Sequence, residues 1–377
     1  MNTERGTNSE HNREARICLF SQRHLKRLVS RCVDYEFEDV ICEVDDVELL
    51  AYEPYRYFNF SQKVVNKIAK YVSIAELNPG LRSLRLKNDY DLFVVVCMFP
   101  SDLLAINAIK GWKEGCRTSI CWLDEIWSAK LNALKGHMKI LSRFDYVVLN
   151  CSQSVGPVQD IIQKPCFYMP PGVDSIRFCP YPNPPVRSID VFNLGRRSPV
   201  THEALLKMVE ARQIFYIYDT IDRMDTYYPR QHRDLIANLA KRSRYFLANA
   251  AKIDRDLETQ GQSEIGFRFF EGAASGTVMI GQPPTNEAFH EHFNWPDSVI
   301  RIPRDASNIA EIIADLNSQK ERLKEIRKNN VVQSLLRHDW AYRWRAILDM
   351  VNLEAKEALT AREKRLKLLA DMASGSS

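Results

Sequence analysis

Arg268 and Glu271 stand three residues apart in RFFEGAASGTVMIG, residues 268–281, so on a helix they share a face. Five small residues follow, Gly272 to Gly276, and then an apolar, strand-like run. A carboxylate beside a helix turn with bare backbone suits a ribose diol and a diphosphate. Glu accepts two hydrogen bonds from the diol, and free N–H groups at a helix start attract phosphate. The same residues equally fit an Arg–Glu surface pair on a helix packed tightly through its alanines.

Other residues of this kind cluster in the same half. DVFNLGRRSP, residues 190–199, runs from a strand into Gly195 and the adjacent Arg196 and Arg197, whose guanidinium groups are suited to bidentate phosphate contact. Arg244 and Lys252 flank the run at 245–248. Earlier, CWLDEIW places Asp124 and Glu125 just after a strand, between Trp122 and Trp127. Carboxylates and rings at a strand end can hold a sugar or an acceptor hydroxyl, although tryptophans more often fill a core. ICLFSQRHLKRL reads as strand, polar loop and helix, without the glycines of a dinucleotide fingerprint. No metal-binding spacing is present, since His290 and His292, two apart, suit no helical site, and no Walker or G-x-S-x-G motif occurs.

These groups need elements to carry them. Short apolar runs alternate with longer mixed segments, predicting strands at 17–20, 38–44, 92–99, 119–123 and 145–150. A second series falls at 189–194, 214–218, 245–248, 277–281 and 298–302. VVVCMF is continuously apolar, as in a strand covered on both faces. Between the runs lie helix-period stretches, of which 308–328 is the clearest. The alternation predicts parallel α/β sheets. Residues 164–187, with seven prolines and no helical period, read as a stiff linker between two doubly wound domains. Ligands bind outside the carboxyl ends of such strands, so two such domains make a cleft. The expected division is a disordered N-terminus at 1–16, domains at 17–180 and 181–340, and C-terminal helices and tail at 341–377. The last helix reads as solvated.

With 377 residues the chain can bury two cores, and 45% hydrophobic with 27% charged residues is a globular composition. A net charge of +4 fits an anionic ligand without the concentrated basic footprint of a nucleic-acid binder. Nine cysteines, an odd number with no C-x-x-C pair, read as reduced thiols of a cytoplasmic protein. No apolar leader and no run of 18 apolar residues is present, which predicts no membrane span.

Four segments in order resemble the GT-B glycosyltransferases of group 1, including the spore-maturation CgeB-like branch: KPCFYMPPGVDSIRFCP, DVFNLGRRSP, RFFEGAASGTVMIG and HDWAYRWRAIL, spanning about residues 145–350. The resemblance implies a GT-B fold, two Rossmann-like domains facing a cleft, and a hexosyltransferase-type enzyme of glycan biosynthesis. A UDP- or GDP-sugar would be the donor, with no further cofactor and no metal, and anomeric configuration would be retained. By it Glu271 meets the ribose, the Gly276–Thr277 backbone approaches the donor, and Arg196, beside Gly195 and Arg197, faces the diphosphate with Lys252 or Arg268. Many relatives carry an acid eight residues before this glutamate. Here that position is Ser263, and Glu264 lies one residue off, the nearest acid for the sugar. Asp124 and Glu125 are the acceptor-side candidates from local chemistry. The acceptor class is a glycan, a lipid-linked or a small molecule, with at most peripheral membrane contact and nucleic acid disfavoured by the acids at 45–48 and 124–125. A sugar-nucleotide epimerase, a non-catalytic nucleotide-sugar binder and a transferase acting on a modified DNA base are the alternatives.

Overall fold

The computed structural model describes residues 15–53, 55–71, 76–86, 89–220 and 224–375. Most of the expected N-terminal tail therefore lies outside the described residues. Its last two residues belong to the fold, Arg16 gripping Asp45 through Nε and Nη2 at 2.7 and 2.8 Å.

Thirteen strands form along the described chain. Those before residue 170 are β1 (Ile17–Ser21), β2 (Val47–Ala51), β3 (Leu84–Arg85), β4 (Tyr90–Cys97), β5 (Ile109–Lys110), β6 (Cys116–Leu123), β7 (Tyr146–Leu149) and β8 (Cys166–Tyr168). After it come β9 (Ile189–Asn193), β10 (Tyr216–Tyr218), β11 (Ser243–Leu247), β12 (Val278–Gly281) and β13 (Ile300–Arg301). The first sheet has the order β2-β1-β4-β6-β7-β8 and the second β10-β9-β11-β12-β13. Every pairing in both is parallel. β3 and β5 form a separate two-residue ladder.

Alternation along β1 and β4 shows why the runs had to be apolar throughout. Cys18, Phe20, Phe93 and Val95 pack into one core; Ile17, Leu19, Leu92 and Val94 pack into another on the opposite face. A strand with helices on both sides has no face left for polar side chains. The second sheet repeats this. Phe192, Phe246 and Met279 meet the helices Pro229–Lys241 and Phe267–Ala274, while Val191, Tyr245 and Ile280 meet the helix Ile309–Ser318.

The structure departs from the sequence reading in five places. Residues 38–44 belong to the helix Cys32–Val44, whose Val33, Phe37, Val40, Ile41 and Val44 are all buried, a 3.6-residue stripe; the strand is β2, just after it. The segment after β1 turns through a 3-10 helix, Val29–Arg31, and forms no α-helix until Cys32. Within 164–187 the chain adds β8 to the edge of the first sheet and a short helix, Ser175–Phe178, capped by the Asp174 carboxylate. The stretch 308–328 breaks at Gln319 into Ile309–Ser318 and Lys320–Arg337.

Finally, the last helix, Glu357–Ser374, is not merely solvated. It buries Leu359, Leu366, Ala370 and Ala373 in the core beside β1 and β4, together with Trp344 and Ile347 of the helix Trp340–Met350. Trp340 stacks on Phe37 at 4.7 Å, so the chain's end is fastened over its beginning. No helix among the described residues is long and apolar enough to cross a membrane.

Candidate functional site

The carboxyl ends of the two sheets face each other. Lys252, just after β11, sets Nζ 2.5 Å from Glu125 Oε1, just after β6. Trp127 Nε1 donates to the same Glu125 oxygen at 3.1 Å, and the Lys252 ammonium lies 5.0 Å from the Trp127 ring centre. Lys252 also reaches Glu258 at 3.2 Å. Nearby, Lys130 meets Glu258 at 2.8 Å and the Ser128 N–H donates to Gln262 at 2.9 Å. The two expected cleft residues Glu125 and Lys252 are thus brought together, from opposite sheets.

Asp124 turns from the surface and is 7% exposed. Burial pushes its carboxyl well above the ordinary range; Asp34 and Glu125 add to that and Arg31 opposes it. Asp34, in the first turn of the helix Cys32–Val44, is buried and raised chiefly by that burial, with Glu38, Asp102 and Glu125 adding and Arg31 opposing. Arg31 is committed elsewhere, forming a fork on Asp102 at 2.7 and 3.0 Å. Trp122, expected beside a ligand, lies in the core against Phe37 and Trp340 at 4.8 and 6.1 Å. Trp127 alone of that pair touches the cleft charges.

On the opposite side, β9 ends in a loop at Gly195, whose φ of +79° only glycine holds without strain. Its N–H points at both Asp219 carboxylate oxygens, 3.1 and 3.0 Å away. Arg197 binds the same carboxylate at 2.7 Å and lies 5.4 Å over Tyr218. Arg196 pairs with Asp254 at 3.0 Å. Both arginines are therefore already neutralised by acids that sequence reading left out.

The helix Phe267–Ala274 begins at Gly266, where no side chain caps it. Arg268 sits in its first turn, 31% exposed, and a Cβ on Gly195 would lie 4.0 Å from Arg268 Nη2. Glu271, one turn on, is 1% exposed. One of its oxygens accepts from Arg268 and the other from Arg233. Burial opposes its ionisation, but Arg268 and Arg233 hold the carboxyl below its usual value. Arg233 in turn forks on Glu36 of the helix Cys32–Val44, at 2.8 and 3.2 Å. Neither Arg233 nor Glu36 stood out in the sequence, because what pairs them is 197 positions of separation.

The small residues prove to be the end of this helix, not its start. A Cβ on Gly272 would come within 2.7 Å of Met279 Sδ and 2.9 Å of Phe246. Gly276 has φ +63°, and its Cβ would meet Val331 Cγ2 at 2.6 Å. Thr277 is wholly buried and donates to the Gly272 carbonyl at 3.0 Å. The expected donor approach at Gly276 and Thr277 is corrected: these positions face the helix Lys320–Arg337, and bareness there lets elements pack. The N–H groups that no side chain caps lie ten residues before Gly276, at the Gly266 end.

Glu264 is 1% exposed and accepts from the Ser152 N–H and Oγ at 2.8 and 3.0 Å, the Gln153 N–H at 3.0 Å and Gln262 at 2.8 Å. It thus ties the loop before the Phe267–Ala274 helix to the segment after β7. Burial raises its carboxyl, partly offset by these donors. Among the described residues no group of three or more His, Cys, Asp or Glu could hold a metal ion.

Residues 210–349 match the family model described as glycosyl transferase-like. No curated protein matches the sequence significantly. Among solved structures, the chain is similar to an α,α-trehalose-phosphate synthase (UDP-forming) from Burkholderia vietnamiensis, with 10% identity, 89% of this chain and 99% of that one covered, and a TM-score of 0.54. It is also similar to an α-glucosyltransferase solved with UDP and a mismatched 13-mer DNA, with 12% identity, 89% and 99% covered, and a TM-score of 0.51. An α-glucosyltransferase in complex with UDP-glucose and DNA containing an abasic site gives 13% identity, 89% and 98% covered, and 0.51. At these identities the likeness is one of fold, the GT-B arrangement of two parallel sheets.

Proposed function

We propose that this chain, a glycosyltransferase of the GT-B fold, seats a nucleoside diphosphate sugar at the Gly266 end of the helix Phe267–Ala274 and transfers the sugar to an acceptor hydroxyl held over the first sheet. The observation that carries the reading is that uncapped helix start, with Arg268 in its first turn beside Gly195. Unsatisfied N–H groups and a guanidinium together form a seat for a diphosphate. The ribose contact expected of Glu271 is not open in this arrangement, where the carboxylate is 1% exposed; its part is to hold the Arg268 guanidinium toward the donor. Arg196, Arg197 and Lys252 are already answered by Asp254, Asp219, Glu125 and Glu258, so the diphosphate is left to Arg268 and the helix start. UDP is the nucleotide favoured, since it accompanies the α-glucosyltransferase of similar fold.

In this reading residues 17–180 hold the acceptor, 181–340 the donor, and 341–377 fasten the two. The bond from the sugar's anomeric carbon to the diphosphate oxygen breaks as the bond to the acceptor oxygen forms. Asp124, whose burial makes it a stronger base than a surface aspartate, takes the acceptor's proton. Glu125 and Lys252 align the acceptor side with the donor side, and Glu264 sets the loop that leads into the seat. Arg268 and the helix N–H groups neutralise the departing diphosphate, so no metal is required; for the sugar to keep its anomeric configuration, the acceptor oxygen enters on the same face from which the diphosphate leaves. The acceptor in this reading is a glycan, lipid-linked or small molecule, since a net charge of +4 lacks the concentrated basic footprint of a nucleic-acid binder. Nine free cysteines suit a cytoplasmic setting.

The test is calorimetric titration of the protein with UDP, GDP and UDP-glucose, repeated in EDTA and with Arg268→Ala. Binding of a uridine ligand that survives EDTA and weakens at least tenfold in the variant is expected. A wild-type chain that binds none of them ends the proposal.

A further inference from the structure

Four side chains form an alternating row from one half of the molecule into the donor seat. Glu36, on the helix behind β1, is 2% exposed. Besides Arg233 it receives the Trp340 indole N–H at 3.1 Å and the Asp174 N–H at 2.8 Å. Its position is therefore set by the connecting segment and by the returning C-terminal helix. Arg233, on the helix Pro229–Lys241 of the other half, is 3% exposed and lies 4.9 Å over the Phe178 ring. It presents one edge of its guanidinium, Nε and Nη2, to Glu36 and its remaining nitrogen, Nη1, to Glu271. Glu271 passes the sequence of charges to Arg268, the one member that reaches the surface.

A planar guanidinium with both edges occupied fixes its two carboxylates relative to each other, which a lysine ammonium does not do. Burying such a row is no better for stability than filling the space with apolar side chains. What the row does supply is orientation: Arg233 leaves Glu271 one arrangement, with one oxygen for Arg233 and the other for Arg268. We propose that Arg233 is a positioning residue for the donor seat and that Glu36, which lies in the opposite half, makes nucleotide binding depend on how the two halves are docked. This rests on the donor seat described above. Linkage makes the dependence reciprocal: a donor that engages Arg268 in this arrangement also favours the docked halves.

The experiment uses the full chain and UDP as the probe. UDP dissociation constants, donor KM and kcat are measured for the wild type, Arg233→Lys, Glu36→Gln and the double variant. Thermal unfolding is followed with and without UDP, so that a less stable variant is still read in its folded fraction. Arg233→Lys is expected to weaken UDP about tenfold or more, and Glu36→Gln about fivefold, with donor KM rising in step while kcat at saturating donor changes little. The double variant is expected to be no weaker than Arg233→Lys alone, because both act through one path. Trp340→Phe, which keeps one ring against Phe37 and removes one donor from Glu36, gives a smaller shift in the same direction. Variants that lose thermal stability but bind UDP as the wild type does would reduce the row to a structural tie and overturn the proposal. If the wild type binds UDP and Arg268→Ala does not, while Glu36→Gln is unaffected, the seat stands and only the dependence on docking fails.

Discussion

Glu125 Oε1 and Lys252 Nζ meet at 2.5 Å across the gap between the two sheets. Each follows the carboxyl end of a strand, and each is more than three-quarters covered as a side chain. Glu125→Gln keeps the shape and a hydrogen-bond acceptor for Trp127 while removing the charge that Lys252 answers. Stability is expected to fall by about 1 kcal/mol or less, as for a partly exposed pair. Turnover is expected to fall far more, up to about a hundredfold, because misalignment of two bound substrates is costly. Steady-state rates beside a denaturation curve separate the two effects. Equal small losses in both would confine the pair to holding the fold.

Gly276 offers a test of packing against binding. An alanine there must accept φ +63° and a Cβ 2.6 Å from Val331. The expected cost is about 1–3 kcal/mol of stability, read as a lower unfolding midpoint, with UDP affinity in the folded protein unchanged. A selective loss of UDP affinity would return this position to the donor seat.

The buried acids give a pH signature. Asp124 and Asp34 titrate well above the ordinary aspartate value of 3.8 in the folded chain, chiefly through burial. The native state therefore binds their protons more tightly than the unfolded chain does. Their contribution to stability is present below the unfolded value and is lost as pH rises through the folded one. Asp124→Asn is expected to unfold at a higher temperature than wild type, with the difference widening as pH rises from the acidic range. Transfer is expected to climb with pH in the wild type as Asp124 ionises, a limb the variant lacks. Parallel pH profiles for the two proteins would remove Asp124 from the reaction.

The last helix makes a stability claim that needs no ligand. Leu366 is wholly buried beside Trp344 and Val44 in the core shared with β1. Leu366→Ala should cost about 2–5 kcal/mol, measurable by urea unfolding. Removing residues 357–375 should leave the helix Cys32–Val44 and the first sheet without part of their cover and abolish cooperative unfolding of that half. A truncated chain as stable as the full one would show the helix to be an appendage.

Much of this architecture was legible in the chain. The runs that became β4, β6, β9, β11 and β12 are apolar enough to need cover on both faces, and their spacing left room for crossover helices between them. Residues 38–44 misled because a short apolar stretch in a buried helix looks the same as one in a buried strand, and only the stripe running back to Val33 distinguishes them. The direction of the helix at 267–274 was the other difficulty: Gly272 and Gly276 are small, but sequence does not say whether smallness admits a ligand or a neighbouring element. Met279, Phe246 and Val331 supply that answer.

What the sequence by itself determined was the alternation of strand and helix and the two parallel sheets. Those follow from periodicity and from local propensity, which act over a few residues. Which charge answers which was decided only by the tertiary structure: Arg233 between Glu36 and Glu271, Glu264 on Ser152, Lys252 on Glu125, Arg197 on Asp219. The physical reason is that a buried charge must be met by whichever group the fold brings within hydrogen-bond reach, and most of those groups lie far away along the chain.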